Sequence, residues 1–372
     1  MKIAIDLRSL SSGTVSGVEN YCLNLLENLL PLDKQNSYTL FYNSWSKKPM
    51  GNFHFVNSQV RSGGWPNRLL NLGLKFGFTK LENLAGEFDC LFMPNLNQFN
   101  IESNKKLVIT VHDLSPVITP EFYDLKRNIW HKFLNYKKAF QRADKLLAVS
   151  EYTKNDLIKV FNINPKKIEV IYPGAPDFVA SSKLENEDLR KLRNNYDLPG
   201  DFILFLNTIE PRKNLANTIK AFERLNDNSS LVIVGRKGWK WRADFNMIKQ
   251  SKKSAKIKYM GYFPEEDKLA LIKLSKTLIY PSFYEGFGFQ PLEAMAVGTP
   301  VITSQITSLP EVVGNAALLV NPYDIESIMR ALEATLDNEE LRKSLTLKGL
   351  EQVKKFTWQK TAQQTLSALS AL

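Results

Sequence analysis

The sequence predicts an α/β protein made of two doubly wound halves in series. Three observations carry this. Short apolar runs that suit strands buried on both faces alternate with helical patterns, as βαβ units around a parallel sheet require. The alternation breaks once, over residues 173–197, where PGAPDFVASSKLENEDLRK brings Pro, Gly and Ser together ahead of a polar, helix-forming stretch, and then resumes. At 372 residues the chain is also long for one core and fits two domains of ordinary size.

In chain order, the first half offers strands at residues 2–7, 38–42, 90–93, 107–111, 145–149 and 168–171. Helical patterns lie between them at 18–30, 127–142 and 151–161, the last opened by Ser150 as N-cap. The second half offers strands at 202–207, 231–234, 256–260, 277–281, 300–303 and 317–320. Its helices fall at 214–225, 265–274, 291–297, 325–336 and 339–355. Ser308 and Glu311 have the spacing of a capping box before a short helical turn. The domains are therefore expected at 1–178 and 179–356, with a last helix, 357–372, returning to the first. Doubly wound halves in series imply a cleft between strand-end faces and a hinge that closes it.

The composition, 44% hydrophobic and 23% charged, is that of a globular protein. The net charge of +11 is spread evenly, +6 in residues 1–180 and +5 in the rest, so there is no basic tail. Anionic substrates, an anionic membrane face and nucleic acid are all compatible with it, but no aromatic-basic module of a nucleic-acid binder is present. Cys22 and Cys90 are the only cysteines, which leaves neither a disulfide framework nor a structural zinc site and fits a reducing cytosol. Met1 runs straight into KIAIDL with no leader pattern, and no run approaches the length of a membrane span, so a cytoplasmic protein, soluble or peripheral on the inner membrane face, is expected.

Four stretches carry the residue types of a binding or catalytic site. SLSSGTVSGVENY places Gly13 and Gly17 ahead of the first long helix, where backbone amides and the helix dipole favour a phosphate. Its spacing is not that of a dinucleotide fingerprint, and an ordinary turn is the alternative. TVHDLSPVITPEFY puts His112 at a strand's carboxyl end beside Thr110 and Asp113, poised for chemistry or simply satisfied within the core. In IEPRKN, Arg212 and Lys213 stand at a helix start, where the dipole opposes them, so a diphosphate ligand is a better reason for them than a solvated surface. IYPSFYEGFGFQPLEAMAVG places Glu285 in a Gly-punctuated loop and Glu293 early on the following helix, with Pro291 in the first turn. The pair has the residue types of a glycosidase acid and base, but its position near cationic diphosphate ligands fits hydrogen bonding to sugar and ribose hydroxyls better. No Asp-x-Asp occurs, so a carboxylate cradle for a divalent metal is not expected and no cofactor is called for.

Two further stretches concern surfaces. Residues 64–78, GWPNRLLNLGLKFGF, read either as a membrane-facing segment or as a buried helix with snorkelling cations. Residues 126–145 carry Lys126, Arg127, Lys132, Lys137, Lys138, Arg142 and Lys145 against Asp144 alone, usually the mark of a solvated helix face, with a membrane or acceptor contact as the alternative.

Together, EGFGFQPLE, PRKN, HDL and SGVENY resemble, in order and spacing, the retaining glycosyltransferases of family 4, over nearly the whole chain. TVHDLSPVITPEFY and IEPRKN are most similar to those of bacterial mannosyltransferases of surface-polysaccharide synthesis. The resemblance implies the GT-B fold: two Rossmann-like domains facing across a cleft, acceptor side first and nucleotide-sugar side second. It implies that Lys213 and Arg212 bind the donor diphosphate, that Glu285 contacts the donor sugar and Glu293 the ribose, and that the amides of Phe287 and Gly288 approach sugar and phosphate. Gly17 would close the phosphate side and His112 would sit at the reaction centre. Many members carry an Arg six residues before the Lys, where this chain has Asn207, so Arg212 has to cover that role as well. The expected donor is GDP-mannose, then another nucleotide-diphosphate hexose such as a UDP-sugar. The expected acceptor is a glycan or lipid-linked sugar. A sugar-nucleotide epimerase and a non-catalytic scaffold are the rival readings.

Overall fold

A computed structural model describes residues 1–12, 17–43, 55–176 and 185–372. The chain divides into two units, one of Met1–Leu114, Ile129–Gly174 and Trp358–Leu372, the other of Ser115–Asn128 and Ala175–Thr357.

The first unit is built on seven parallel strands: β1 Lys2–Asp6, β2 Ser37–Asn43, β3 Ser58–Gly63, β4 Cys90–Met93, β5 Lys106–Val111, β6 Lys145–Ala148 and β7 Ile168–Val170. Their spatial order is β3-β2-β1-β4-β5-β6-β7, so the winding reverses between β1 and β4, with Ile3 opposite both Tyr38 and Cys90. All four residues of β4 and five of the six in β5 are buried, which is why these strands read as unbroken apolar runs. β3, by contrast, is mostly exposed apart from Gly63 and carries the polar sequence SQVRSG, so its edge position left no apolar signature. The helix Gly17–Leu32 buries Tyr21, Cys22, Leu25, Leu26, Leu29 and Leu30, and the C-terminal helix Trp358–Ser370 packs against it. Trp358 meets the Tyr21 ring edge-on at 5.7 Å. Both thiols are free and buried, and burial pushes each up to about 12.

One continuous helix over 127–142 is corrected to two, Leu125–Leu134 and Tyr136–Arg142. Asn135 between them adopts a left-handed backbone (φ 52°), and its side chain accepts from the Lys138 amide, a local hydrogen bond that makes it a cap.

The second unit carries β8 Phe202–Leu206, β9 Ser230–Val234, β10 Ile257–Gly261, β11 Thr277–Tyr280, β12 Val301–Ser304 and β13 Leu318–Val320, all parallel, in the order β10-β9-β8-β11-β12-β13. Here the winding reverses between β8 and β11, with Leu278 opposite both Leu204 and Val301. The core gathers Ile203, Phe205, Ile219, Phe222, Ile233, Ile279, Ile302, Ile328 and Leu332 from sheet and helices. Residues 115–128 also belong to this unit, although the sequence reading kept 1–178 together. Trp239 explains the docking: its Nε1 donates to Phe122 O at 2.6 Å, Tyr123 stacks on its ring at 5.2 Å, and the Arg127 guanidinium lies 4.4 Å from it. Among the described residues no helix is long and apolar enough to cross a membrane.

Candidate active site

In an open parallel sheet, ligands bind beyond the carboxyl ends of the strands where the winding reverses. In the second unit that position lies past β8 and β11. β8 leads into Glu210, then a single 3₁₀ turn, Pro211–Lys213; β11 leads through Pro281 and Ser282 into the loop bearing Glu285. Residues 72 or 73 apart in the chain meet there because their strands are neighbours.

The contacts are short and buried. Arg212 Nη1 donates to Glu285 Oε2 at 2.9 Å and to Tyr284 O at 2.6 Å, while Nη2 donates to Glu210 Oε1 at 2.9 Å. Lys213 Nζ donates to Glu285 Oε1 at 2.6 Å, and the Tyr280 hydroxyl donates to the same oxygen at 3.0 Å. Glu285 is only 6% exposed. Burial alone would raise its carboxyl, but the Arg212 and Lys213 charges outweigh that and hold it at about 2. Burial pushes Glu210 up, against the pull of the same cations, so Glu285 is the carboxylate that takes their charge. Burial, with Arg212 beside it, brings Lys213 down despite its carboxylate partners. These ion pairs, rather than solvent, are what place two cations at a helix start.

The loop is fastened from several sides. Asn214, left-handed at φ 64°, sends Nδ2 to Pro281 O at 2.9 Å and to Pro322 O at 2.8 Å. Ser304 Oγ donates to Ser282 O at 2.6 Å. Ser308 corrects the capping-box reading: its backbone is already helical and its side chain caps nothing. Its hydroxyl instead reaches Glu285 O at 2.9 Å and Phe287 O at 3.1 Å, holding the carboxylate loop in shape. Phe287 is buried, and Gly288 starts the helix Phe289–Ala296 from a φ of 107°. A Cβ at Gly288 would lie 2.7 Å from Leu309 Cδ2, so conformation and space both require glycine there.

Glu293, 3% exposed, sits farther along that helix and does not join the Glu285 cluster. Lys268, from the helix Glu265–Leu274, donates to Glu293 Oε1 at 2.7 Å; Glu293 Oε2 has no hydrogen-bond partner among the described residues. Asn207, just past β8, is buried with its Nδ2 unpartnered among the described residues. Its carbonyl is roofed by Gly235, where a Cβ would fall 1.7 Å from the oxygen.

His112 and Gly17 belong to the first unit. His112 follows β5, partly exposed, with Nε2 2.8 Å from Pro94 O just past β4 and its ring edge-on to Tyr21 at 4.8 Å. A carbonyl only accepts, so Nε2 carries the proton and the neutral ring keeps its lone pair on Nδ1. Burial lowers its pKa more than the Pro94 contact and the nearby acids raise it. Gly17 is exposed at the first residue of its helix; Gly13 lies outside the described residues. Among the described residues no group of three or more His, Cys, Asp or Glu side chains is placed to hold a metal ion.

Sequence reasoning passed over Tyr280, Lys268 and the part played by Glu210, and it read Ser308 only as a cap. Tyr280 flanks the carboxylate loop, but nothing in its spacing marks it. Lys268 is 25 residues from its partner on a different helix and left no local signal.

Two family models match the chain: "glycosyl transferases group 1" over residues 188–352 and "glycosyltransferase family 4" over residues 15–177. O-antigen chain mannosyltransferase B of Escherichia coli is 31% identical over 274 residues, covering 72% of this chain and 71% of that protein. The chain belongs to glycosyltransferase family 4. Serotype-specific mannosyltransferase WbdA of Escherichia coli is also 31% identical, over 273 residues, and this glycosyltransferase spans about a third of its length (34%) while 72% of the present chain is matched. The crystal structure of Anabaena HepE in complex with UDP and glucose matches with a TM-score of 0.77 at 18% identity, covering 100% of both chains, which makes the fold of this glycosyltransferase GT-B.

Proposed function

We propose that this glycosyltransferase moves a hexosyl group, with retention of anomeric configuration and without a metal ion, from a nucleotide-diphosphate sugar to a glycan or lipid-linked acceptor in surface-polysaccharide synthesis. GDP-mannose is the favoured donor, a reading supported by the mannosyltransferase relatives, and a UDP-hexose is the second choice. The observation that carries the proposal is the buried Glu285 carboxylate gripped by Arg212 and Lys213 at the reversal point of the second sheet.

A diphosphate would present its own negative charge to the same two cations. As the glycosidic bond breaks, charge grows on the leaving diphosphate, and fixed cations in a dry site stabilise that state more than the ground state. Groups of this type contribute about 3 kcal/mol each to lowering a barrier. With part of the two cations' hydrogen bonding taken up by the diphosphate, Glu285 is available to hydroxyls of the donor sugar, and Glu293 Oε2 to those of the ribose. Asn207 offers an amide donor where many relatives have a cation, and Arg212 supplies the fork. A leaving phosphate oxygen can take the acceptor proton, so His112 has only to orient the sugar through Nδ1.

Peripheral membrane contact is part of the proposal for the acceptor. The helix Asn67–Lys75 buries Leu70 and Leu74 and exposes Leu69 and Leu72, and Trp65, Phe76 and Phe78 on its flanks are exposed too, beside the exposed Arg68. The test is product analysis: GDP-mannose, a mannosyl acceptor and excess EDTA, followed by NMR of the new linkage. The account expects GDP and an α-linked product. An inverted linkage overturns retention, activity restored only by Mg²⁺ overturns metal independence, and an isomerised sugar nucleotide formed without acceptor favours an epimerase.

A further inference from the structure

Among the described residues, the Lys268–Glu293 pair is the one buried ion pair of the second unit that the Glu285 cluster does not explain. Glu293 projects from the helix Phe289–Ala296 and is 3% exposed. Lys268 projects from the helix Glu265–Leu274, which packs against it, and only 15% of its side chain is exposed. Its Nζ donates to Glu293 Oε1 at 2.7 Å and also pairs with the half-exposed Glu265 one turn earlier. Burial alone would lower its pKa, but Glu293 and Glu265 outweigh that and raise it, so the cation persists.

The asymmetry of the carboxylate is the informative feature. One oxygen takes a short charge-assisted bond, while the buried Oε2 has no hydrogen-bond partner among the described residues. Buried carboxylate oxygens are rarely left in that state, and one oxygen can accept from two hydroxyls. We infer that Lys268 is a positioning residue for nucleotide recognition, clamping Oε1 of Glu293 so that Oε2 stays fixed as the acceptor for the vicinal hydroxyls of the donor's ribose. This rests on the donor-site reading above and adds to it the group that sets the ribose contact. Without the clamp the carboxylate loses both its charge partner and the bond that fixes its plane, and the ribose contact weakens while the diphosphate contacts at Arg212 and Lys213 remain. A lysine that merely tied two helices together would change stability and leave the choice of sugar ring alone.

The test is titration calorimetry with GDP and UDP, each beside its dideoxyribose analogue, on wild type, Lys268→Met and Lys268→Arg, with thermal unfolding as the check on folding. Wild type should bind the ribose form of its nucleotide roughly tenfold or more tighter than the dideoxy form, the size of a hydrogen bond to a charged group. Lys268→Met should bring that ratio close to one by weakening only the ribose form, and Lys268→Arg should restore it. If Lys268→Met does not fold, Lys268→Gln, which keeps a donor and removes the charge, is measured in its place. A wild-type ratio retained without the lysine charge, or equal loss for both forms, overturns the inference and leaves the donor site standing. Wild type that binds no nucleoside diphosphate overturns both.

Discussion

Replacing Glu285 by glutamine removes the anion on which two buried cations depend while keeping nearly the same shape. The Glu285 carboxyl is held at about 2 against an ordinary 4.5. At about 1.4 kcal/mol per pH unit, the site prefers the anion over a neutral group by about 3 kcal/mol. Breaking a buried ion pair by deleting one partner costs about 3–5 kcal/mol, so the two routes agree. Spread over a unit of roughly 200 residues, whose unfolding entropy is about 0.4 kcal/mol/K, this lowers its melting temperature by roughly 8 °C. The effect on ligand binding should be opposite: Arg212 and Lys213, with Glu210 as their remaining nearby carboxylate, should welcome a diphosphate, so GDP raises the melting temperature of Glu285→Gln by more than that of wild type. Transfer should fall by orders of magnitude, because the variant loses the carboxylate proposed to receive the donor sugar. Differential scanning fluorimetry with and without GDP measures the first two effects and a transfer assay the third. A melting temperature within about 2 °C of wild type, well below the shift expected for an ion pair of this kind, would refute the reasoning.

Two further outcomes follow from the same geometry. Because the folded-state pKa of Glu285 lies below its unfolded value, its stabilisation is complete above about 4.5 and is lost as pH falls from there through about 2. Urea midpoints of wild type and Glu285→Gln should therefore converge across that window; a constant gap would contradict the charge assignment. Gly288→Ala forces a side chain into φ 107° and against Leu309, which should destabilise the protein by about 1–3 kcal/mol and weaken donor binding. Unchanged urea midpoint and donor affinity would show that the loop accommodates the methyl.

Much of the fold was legible because strands buried on both faces have to be apolar throughout, as CLFM of β4 and FILFL of β8 are. β3 was not, since an edge strand is free to be polar, and neither was the break at Asn135, which depends on a side chain bonding its own backbone. Residues 115–128 join the second unit through Trp239, more than a hundred residues away, and no local pattern announces such a contact. The candidate site divides in the same way. Glu285, Arg212 and Lys213 could each be picked out by residue type beside a strand end, but not their pairing, which exists because β8 and β11 are neighbours in the sheet. The glutamates were expected to serve hydroxyls and the cations charge, as separate tasks; the structure joins Glu285 to both cations in one buried cluster and leaves Glu293 apart, paired with Lys268. Lys268 had no sequence signal at all, because a basic residue on a helix is ordinary until its partner is known.

The central claim is that Arg212 and Lys213 hold the donor's diphosphate, and the affinity difference between GDP and GMP measured by calorimetry tests it most directly. Wild type should prefer GDP by roughly tenfold to a hundredfold, the value of one added charge-assisted contact, and Lys213→Ala should lose most of that preference. A preference for GDP that survives intact in Lys213→Ala would contradict the account.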